Sequence, residues 1–285
     1  MINQGTIDKL IQQVGDLPPL PQIAYKTLAL LRNPESNMSD IASYISMDQM
    51  ITSRVLSWAN SAYYGLPSTV TTVNRATMYL GQITVRSIVL TACVSTYLSR
   101  ALPGYGMKQG DLWMHSIGVA AGARLISTKL GKTVGEEAYF AGLLCDIGKL
   151  AFEVVLRDTD FNQPDWQGKS FDQIETEQFG INHAILGGLI AKKWMLPDSI
   201  CNVITNHHQP AQAQAHEQVL ASAVHIGDLI MMMSSIGNGV DRLRYQTDPL
   251  AYKLLKIDES VLPEILESVS SYVRQTASEL ELEII

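Results

Sequence analysis

The chain has 285 residues, 46% hydrophobic and 17% charged, with 21 Lys and Arg against 28 Asp and Glu for a net charge of −7. That composition can fill one large core or two ordinary ones, and it excludes a disordered or fibrous chain. The acid excess, without a basic arm, argues against broad nucleic-acid binding, which needs clustered cations on phosphate.

The three cysteines, Cys93, Cys145 and Cys201, are an odd number without CxxC spacing. They point to a reducing compartment rather than a disulfide framework. The N-terminus shows no basic stretch followed by an apolar run, so no secretory signal is expected. The longest uncharged interval, between Arg54 and Arg75, contains Asn60, Ser61, Gly65 and Pro67 and is too polar to span a bilayer. A cytoplasmic protein without a membrane partner is the expectation.

Helical periodicity runs through the chain. Ile7, Leu10, Ile11 and Val14 recur at helical spacing behind Thr6 as a cap. LPPLP at 17–21 interrupts the pattern, and Pro21 opens a helix expected to reach Leu31. Ser39 and Asp48 cap two short helices, the second carrying Ile51, Val55, Leu56 and Trp58. Gly65 and Pro67 end that pair, and the residues Asn60 to Tyr64 before them are a candidate contact surface, with packing of the tyrosines as the alternative. Further helices are expected near 71–79 and 82–100, before the Gly- and Pro-dense boundary LPGYGMKQG at 102–110. Beyond it, Asp111 caps a helix through Trp113, Ile117 and Leu125, and one helix from Glu136 carries AYFAGLLCDIGKLAFEVV. Ser170 with Gln173 forms a capping box, Gly180 stops that helix, Asn182 caps the next, and Pro197 suits a first turn. Three more helices follow near 216–235, 247–255 and 259–281. No segment alternates with period two, so an all-α fold is expected.

His115, Asp146, His183, the pair His207–His208, and Asp228 fall on separate expected helices, as a site inside a helical bundle requires. Asp146 is flanked by Leu143, Leu144, Ile147 and Leu150, so its carboxylate is expected to be partly buried and to need a cation: a metal, a protonated histidine, or Lys149 one turn along. Imidazole and carboxylate suit zinc, iron or manganese. A purely structural polar network is the competing explanation. His216 and His225 are expected to be surface or ordinary core residues, and Cys145 alone to be a small core hydrophobe.

The segment AGLLCDIGKL at 141–150 resembles the His-Asp signature of HD-superfamily phosphohydrolases, usually LLHDIGK. With WMHS at 113–116, NHA at 182–184, HHQP at 207–210 and HIGD at 225–228, the resemblance is to the HDOD family, the HD-related output domains of bacteria. DLPPLPQIA, SDIASYISMD, WANSAYYG and AT-x-x-LG at 76–81 extend it into the N-terminal half. It covers roughly residues 15–235 and leaves the C-terminal helices outside.

The resemblance implies an all-α, multi-helix bundle: an N-terminal helical subdomain, 1–104, and a C-terminal HD- or phosphodiesterase-like subdomain, 105–285. It implies a divalent iron, manganese or zinc, or no metal, at His115, Asp146, His183, His207, His208 and Asp228. If the protein is active, Asp146 would be catalytic and Lys149 would steady the phosphate. Cys145 stands where the signature has histidine. The resulting expectation is a non-catalytic signalling output or adaptor domain that binds a signalling protein or small regulatory ligand. The alternative is a phosphohydrolase acting on a nucleotide or phosphate ester through a metal-activated water.

Overall fold

The computed structural model describes residues 4–26, 38–61, 64–157, 159, 168–242 and 246–279. Among them every regular element is helical, apart from one isolated antiparallel bridge between Leu102 and Met107. The fold is all-α, as the periodicity predicts. No helix among the described residues is long and apolar enough to cross a membrane.

The chain divides into two compact units, one of Met1–Pro18 with Tyr97–Val273 and the other of Pro19–Thr96 with Arg274–Ile285. This differs from the expected division after residue 104, and most of all in the placement of the first helix. Helix α1 (Gln4–Asp16) belongs to the larger unit. The reason is visible at its C-terminus, where Lys193 Nζ donates to the carbonyls of Val14 (3.0 Å) and Leu17 (2.5 Å), and Trp194 Nε1 to that of Pro18 (3.2 Å). Helix-end carbonyls lack intrahelical partners, and a lysine there also complements the helix dipole. The helix begins before Thr6, which is therefore internal rather than the cap.

In the smaller unit, residues 22–26 are helical, and the rest of the helix expected to reach Leu31 lies outside the described residues. Helices α2 (Met38–Ile45), α3 (Gln49–Ala59), α4 (Val73–Leu80) and α5 (Gln82–Leu98) follow. Ser39 lies inside α2, whereas Asp48 does cap α3, accepting from Ile51 N at 3.0 Å. Asn60 is a brace: its Nδ2 donates to Val70 O (2.8 Å) and its Oδ1 accepts from Val70 N (2.7 Å). Ser61 is buried and Tyr64 half-buried, while Tyr63 lies outside the described residues.

The larger unit is organised around α6 (Asp111–Ser127), which is buried on nearly every side and packs on α7 (Lys132–Leu144) and α12 (Gln218–Met233). A helix apolar all round belongs in a core. Gly122 lets α6 approach α12 closely, since a Cβ there would stand 3.3 Å from Gly227 Cα. Gly110 occupies the N-cap position in place of Asp111, which instead accepts from Lys108 N at 2.6 Å. Between α7 and α12 lie α8 (Lys149–Leu156), α9 (Phe171–Phe179), α10 (His183–Lys193) and α11 (Asp198–Asn206). The capping box of Ser170 and Gln173, the left-handed Gly180 and the Asn182 cap all occur as expected, and Pro197 sits at the cap of α11. Helices α13 (Pro249–Leu255) and α14 (Leu262–Glu279) complete the chain.

The long helix expected from Glu136 through Val155 is broken at Cys145–Gly148. Tight i to i+3 bonds, Ile147 N to Leu144 O and Lys149 N to Asp146 O, both at 3.0 Å, turn the chain there. Gly148 packs so closely on α10 that a Cβ would lie 1.8 Å from His183 O. Only glycine permits that approach, and it carries Asp146 inward against the start of α10.

Candidate metal centre

Each chemistry-bearing side chain is delivered by a helix end or a core-facing helix position. His115 projects from the N-terminal part of α6, Asp228 from within α12, and Asp146 from the 145–148 turn. His183 is the first residue of α10, and His207 and His208 follow α11 directly. All six lie in the larger unit and all are buried.

They form two donor groups sharing Asp146. Asp146, His183, His207 and His208 offer ligand atoms within 4.8 Å of one another, and so do His115, Asp146 and Asp228. Asp146 Oδ1 lies 3.3 Å from His183 Nε2 and 3.9 Å from His207 Nε2. Its Oδ2 lies 3.2 Å from His115 Nε2 and 3.0 Å from Lys149 Nζ. His115 Nε2 also meets Asp228 Oδ1 at 3.0 Å, and His208 Nε2 stands 2.9 Å from His183 Nε2.

Burial opposes the ionised form of Asp146, yet the Lys149 charge and its contacts with His115 and His183 hold it well below the usual carboxylate range. Burial would likewise lower His115 and His183. Bonds to Asp146 and Asp228 instead raise His115 to about 9, and Glu175 and Asp146 raise His183 to about 10. His207 and His208 are pushed down, chiefly by burial, so both are neutral bases.

This donor set fits a cation. His207 Nδ1 bonds Ile204 O at 2.7 Å, so the proton is on Nδ1 and the Nε2 lone pair faces the cluster. That Nε2 is buried without a hydrogen-bond partner, and Asp146 Oδ1 stands 3.9 Å from it. A buried lone pair with a carboxylate oxygen close by is an arrangement that a cation would satisfy. Four buried carboxylates, Asp146, Glu175, Asp228 and Asp241, stand here, faced among the described residues by the Lys149 ammonium and by the raised His115 and His183. The two donor groups could hold a metal ion.

Cys145 is a buried core residue, as expected, and Lys149 meets Asp146 as one of the cations expected for it. Cys145 belongs to neither donor group; its thiol is fully buried and donates to Gly142 O at 3.2 Å. Lys149 is also fully buried, its ammonium bonded to Asp241 (2.6 Å) and lying 5.5 Å from the Tyr105 ring centre. Asp241, Glu175 and Tyr105 were not among the sequence candidates. Their partners lie 92, 8 and 70 residues away, beyond any helical spacing. His225 is structural, donating to His207 O and accepting from Asp248 N, and His216 is exposed.

A cavity of about 250 Å³ opens beside the cluster, and of the six cluster residues His208 alone lines it. Its other described walls are Ser170, Asp172, Gln173, Gln209, Gln246, Thr247, Asp248 and Pro249, with no lysine or arginine among them.

These features define an all-helical protein with histidine and aspartate side chains gathered from separate helices around one buried carboxylate. The HDOD domain matches residues 17–210, and the chain belongs to the HDOD family. An HDOD domain protein of unknown function from Geobacter sulfurreducens has a similar structure, at 23% identity and TM-score 0.77, covering 99% of this chain and 98% of that one. A candidate phosphohydrolase from Shewanella amazonensis SB2B matches at 23% identity and TM-score 0.68, covering 96% and 98%. At these identities the likeness is one of fold. An uncharacterized protein of Treponema pallidum (strain Nichols) is 23% identical over a match 230 residues long that covers 77% of this chain and 43% of that protein. The chain thus spans under half the length of that relative.

Proposed function

We propose that the protein is a non-catalytic signalling output or adaptor domain of the bacterial cytoplasm, engaging a signalling protein or small regulatory ligand and holding one divalent ion in its larger unit. Asp146, His183, His207 and His208 would hold the ion, as iron, manganese or zinc. When bound, it supplies a fixed double charge that ties the 145–148 turn to α10 and to the end of α11.

The observation that carries this reading is the enclosure of Lys149. An HD-type hydrolase must admit a phosphate ester and meet it with positive charge. The signature lysine here has zero exposure and is engaged by Asp146 and Asp241. The cavity that reaches His208 presents Asp172 and Asp248, which repel a phosphate.

Metal analysis of protein purified without added metal, alongside a phosphodiesterase and nucleotidase panel, tests the proposal. About one ion per chain and no hydrolysis is the expected result, on the single complete set of four donors. Hydrolysis by the wild type that Asp146→Ala abolishes would overturn it.

The second reading, a metal-dependent phosphohydrolase, is favoured by one feature: Asp146 stands between two donor groups, as a carboxylate shared by two ions does. The His115, Asp146 and Asp228 group lacks the histidine that Cys145 replaces. On this reading Cys145→His raises the bound metal per chain and brings hydrolysis with it.

A further inference from the structure

Glu175 is fully buried on α9 and meets three donors. Its Oε1 accepts from the Tyr105 hydroxyl at 2.6 Å. Its Oε2 accepts from the backbone N–H of His183 at 2.9 Å and lies 2.6 Å from His183 Nδ1. The local sequence builds this return. α9 ends at left-handed Gly180, Asn182 caps α10 by accepting from Ile185 N at 3.0 Å, and His183 arrives over Glu175 eight residues after it.

Tyr105 is held as firmly. It ends a short 3-10 turn (Pro103–Tyr105), its ring centre lies 5.8 Å from that of Phe171, and its carbonyl accepts from Val240 N at 2.8 Å. A carboxylate only accepts hydrogen bonds, so the ring proton of His183 facing Glu175 sits on Nδ1. The opposite nitrogen, Nε2, then points to Asp146 Oδ1 at 3.3 Å and His208 Nε2 at 2.9 Å. Because one carboxylate oxygen grips both the backbone N–H and the ring of the same histidine, the ring's rotation is fixed along with its tautomer.

We propose that Tyr105 and Glu175 are positioning residues for a divalent ion, setting the tautomer and orientation in which His183 offers Nε2 to it. This rests on the reading that Asp146, His183, His207 and His208 hold such an ion. Carboxylates behind ligating histidines raise ligand basicity and fix the ring, and their loss costs metal affinity. Tyr105 acts one bond further out, holding the carboxylate in place.

The test uses the full chain, stripped of metal and titrated separately with Zn²⁺ and Co²⁺ against a competing chelator. The visible spectrum of the Co²⁺ form is recorded, and the His183 nitrogen that keeps its proton is read by nitrogen-15 NMR in the Zn²⁺ form. Glu175→Gln should weaken both ions by about tenfold to a hundredfold, change the Co²⁺ spectrum, and release the Nδ1–H tautomer. Tyr105→Phe should weaken them by a smaller factor, with Nδ1–H retained. Glu175→Gln with wild-type affinity and spectrum would overturn the inference, since a purely structural carboxylate would alter melting temperature but neither of these. If Glu175→Gln does not fold, Tyr105→Phe decides: weaker binding with an unchanged metal-free melting temperature supports the positioning role, and unchanged binding overturns it. A wild type that takes up neither ion would instead remove the metal reading itself, and this inference with it.

Discussion

The two units bury polar groups in opposite ways. Among the described residues of the smaller unit, the buried polar side chains are hydroxyls: Ser61, Thr77, Thr84, Ser87, Thr91 and Thr276. Thr77 and Thr91 bond the carbonyls of Val73 and Ser87 in their own helices, each at 2.7 Å. A hydroxyl satisfied this way costs little to bury. In the larger unit the buried set includes Asp146, Lys149, Glu175, Asp228, Asp241 and five histidines. Charges enter an interior only when other charges compensate them, so this concentration marks a place where the fold maintains chemistry at a cost in stability. The smaller unit keeps its unusual residues outside, with Met47, Met50 and Met78 strongly exposed.

The contrast can be broken by single substitutions. The largest effect is expected for Lys149→Met, which leaves Asp146 and Asp241 buried without their ammonium. It should cost about 3–5 kcal/mol in urea denaturation. A loss below about 1 kcal/mol, the size of a surface pair, would show that the charges are not mutually dependent.

Metal removal comes next. If the larger unit holds an ion, free metal at about 100 times its dissociation constant adds about 2.7 kcal/mol, lost on chelation. Hydrogen exchange should then quicken at residues 145–149, 183 and 207–208 and stay unchanged across 38–61. Equal loosening of both segments would refute a local site.

Asn60→Ala should remove about 1–2 kcal/mol through its two bonds to Val70. The smallest effect is expected for Thr91→Val, within about 1 kcal/mol, because only a hydroxyl bonded to its own helix is lost. A Thr91→Val cost approaching that of Lys149→Met would erase the distinction between the units.

Much of the site was legible because its residues announce themselves locally. Asp146 among leucines, the His207–His208 pair and His183 after an Asn182 cap are patterns a few residues long. Glu175 carried no such signal: in the run Ile174 to His183 it looks like one acid of an exposed helix, as Glu177 beside it is. Lys149 was legible as a cation near Asp146, but its second partner, Asp241, was not. The same limit explains the broken helix. Residues 136–155 have helical character throughout, and the interruption comes from the packing of Gly148 on α10.

By itself the sequence determined the all-helical class, the caps at Asp48 and Asn182, the capping box at Ser170, the stop at Gly180 and the identity of the cluster's histidines and aspartates. These rest on interactions within about one helical turn, where chain connectivity sets who meets whom. Tertiary structure alone decided that α1 joins the larger unit and that Lys149 faces Asp241. It also decided that Tyr105 and Glu175 stand behind His183. A buried charge takes its partner from whichever helix packs against it, and that choice depends on the shape of the whole core rather than on neighbours in the chain.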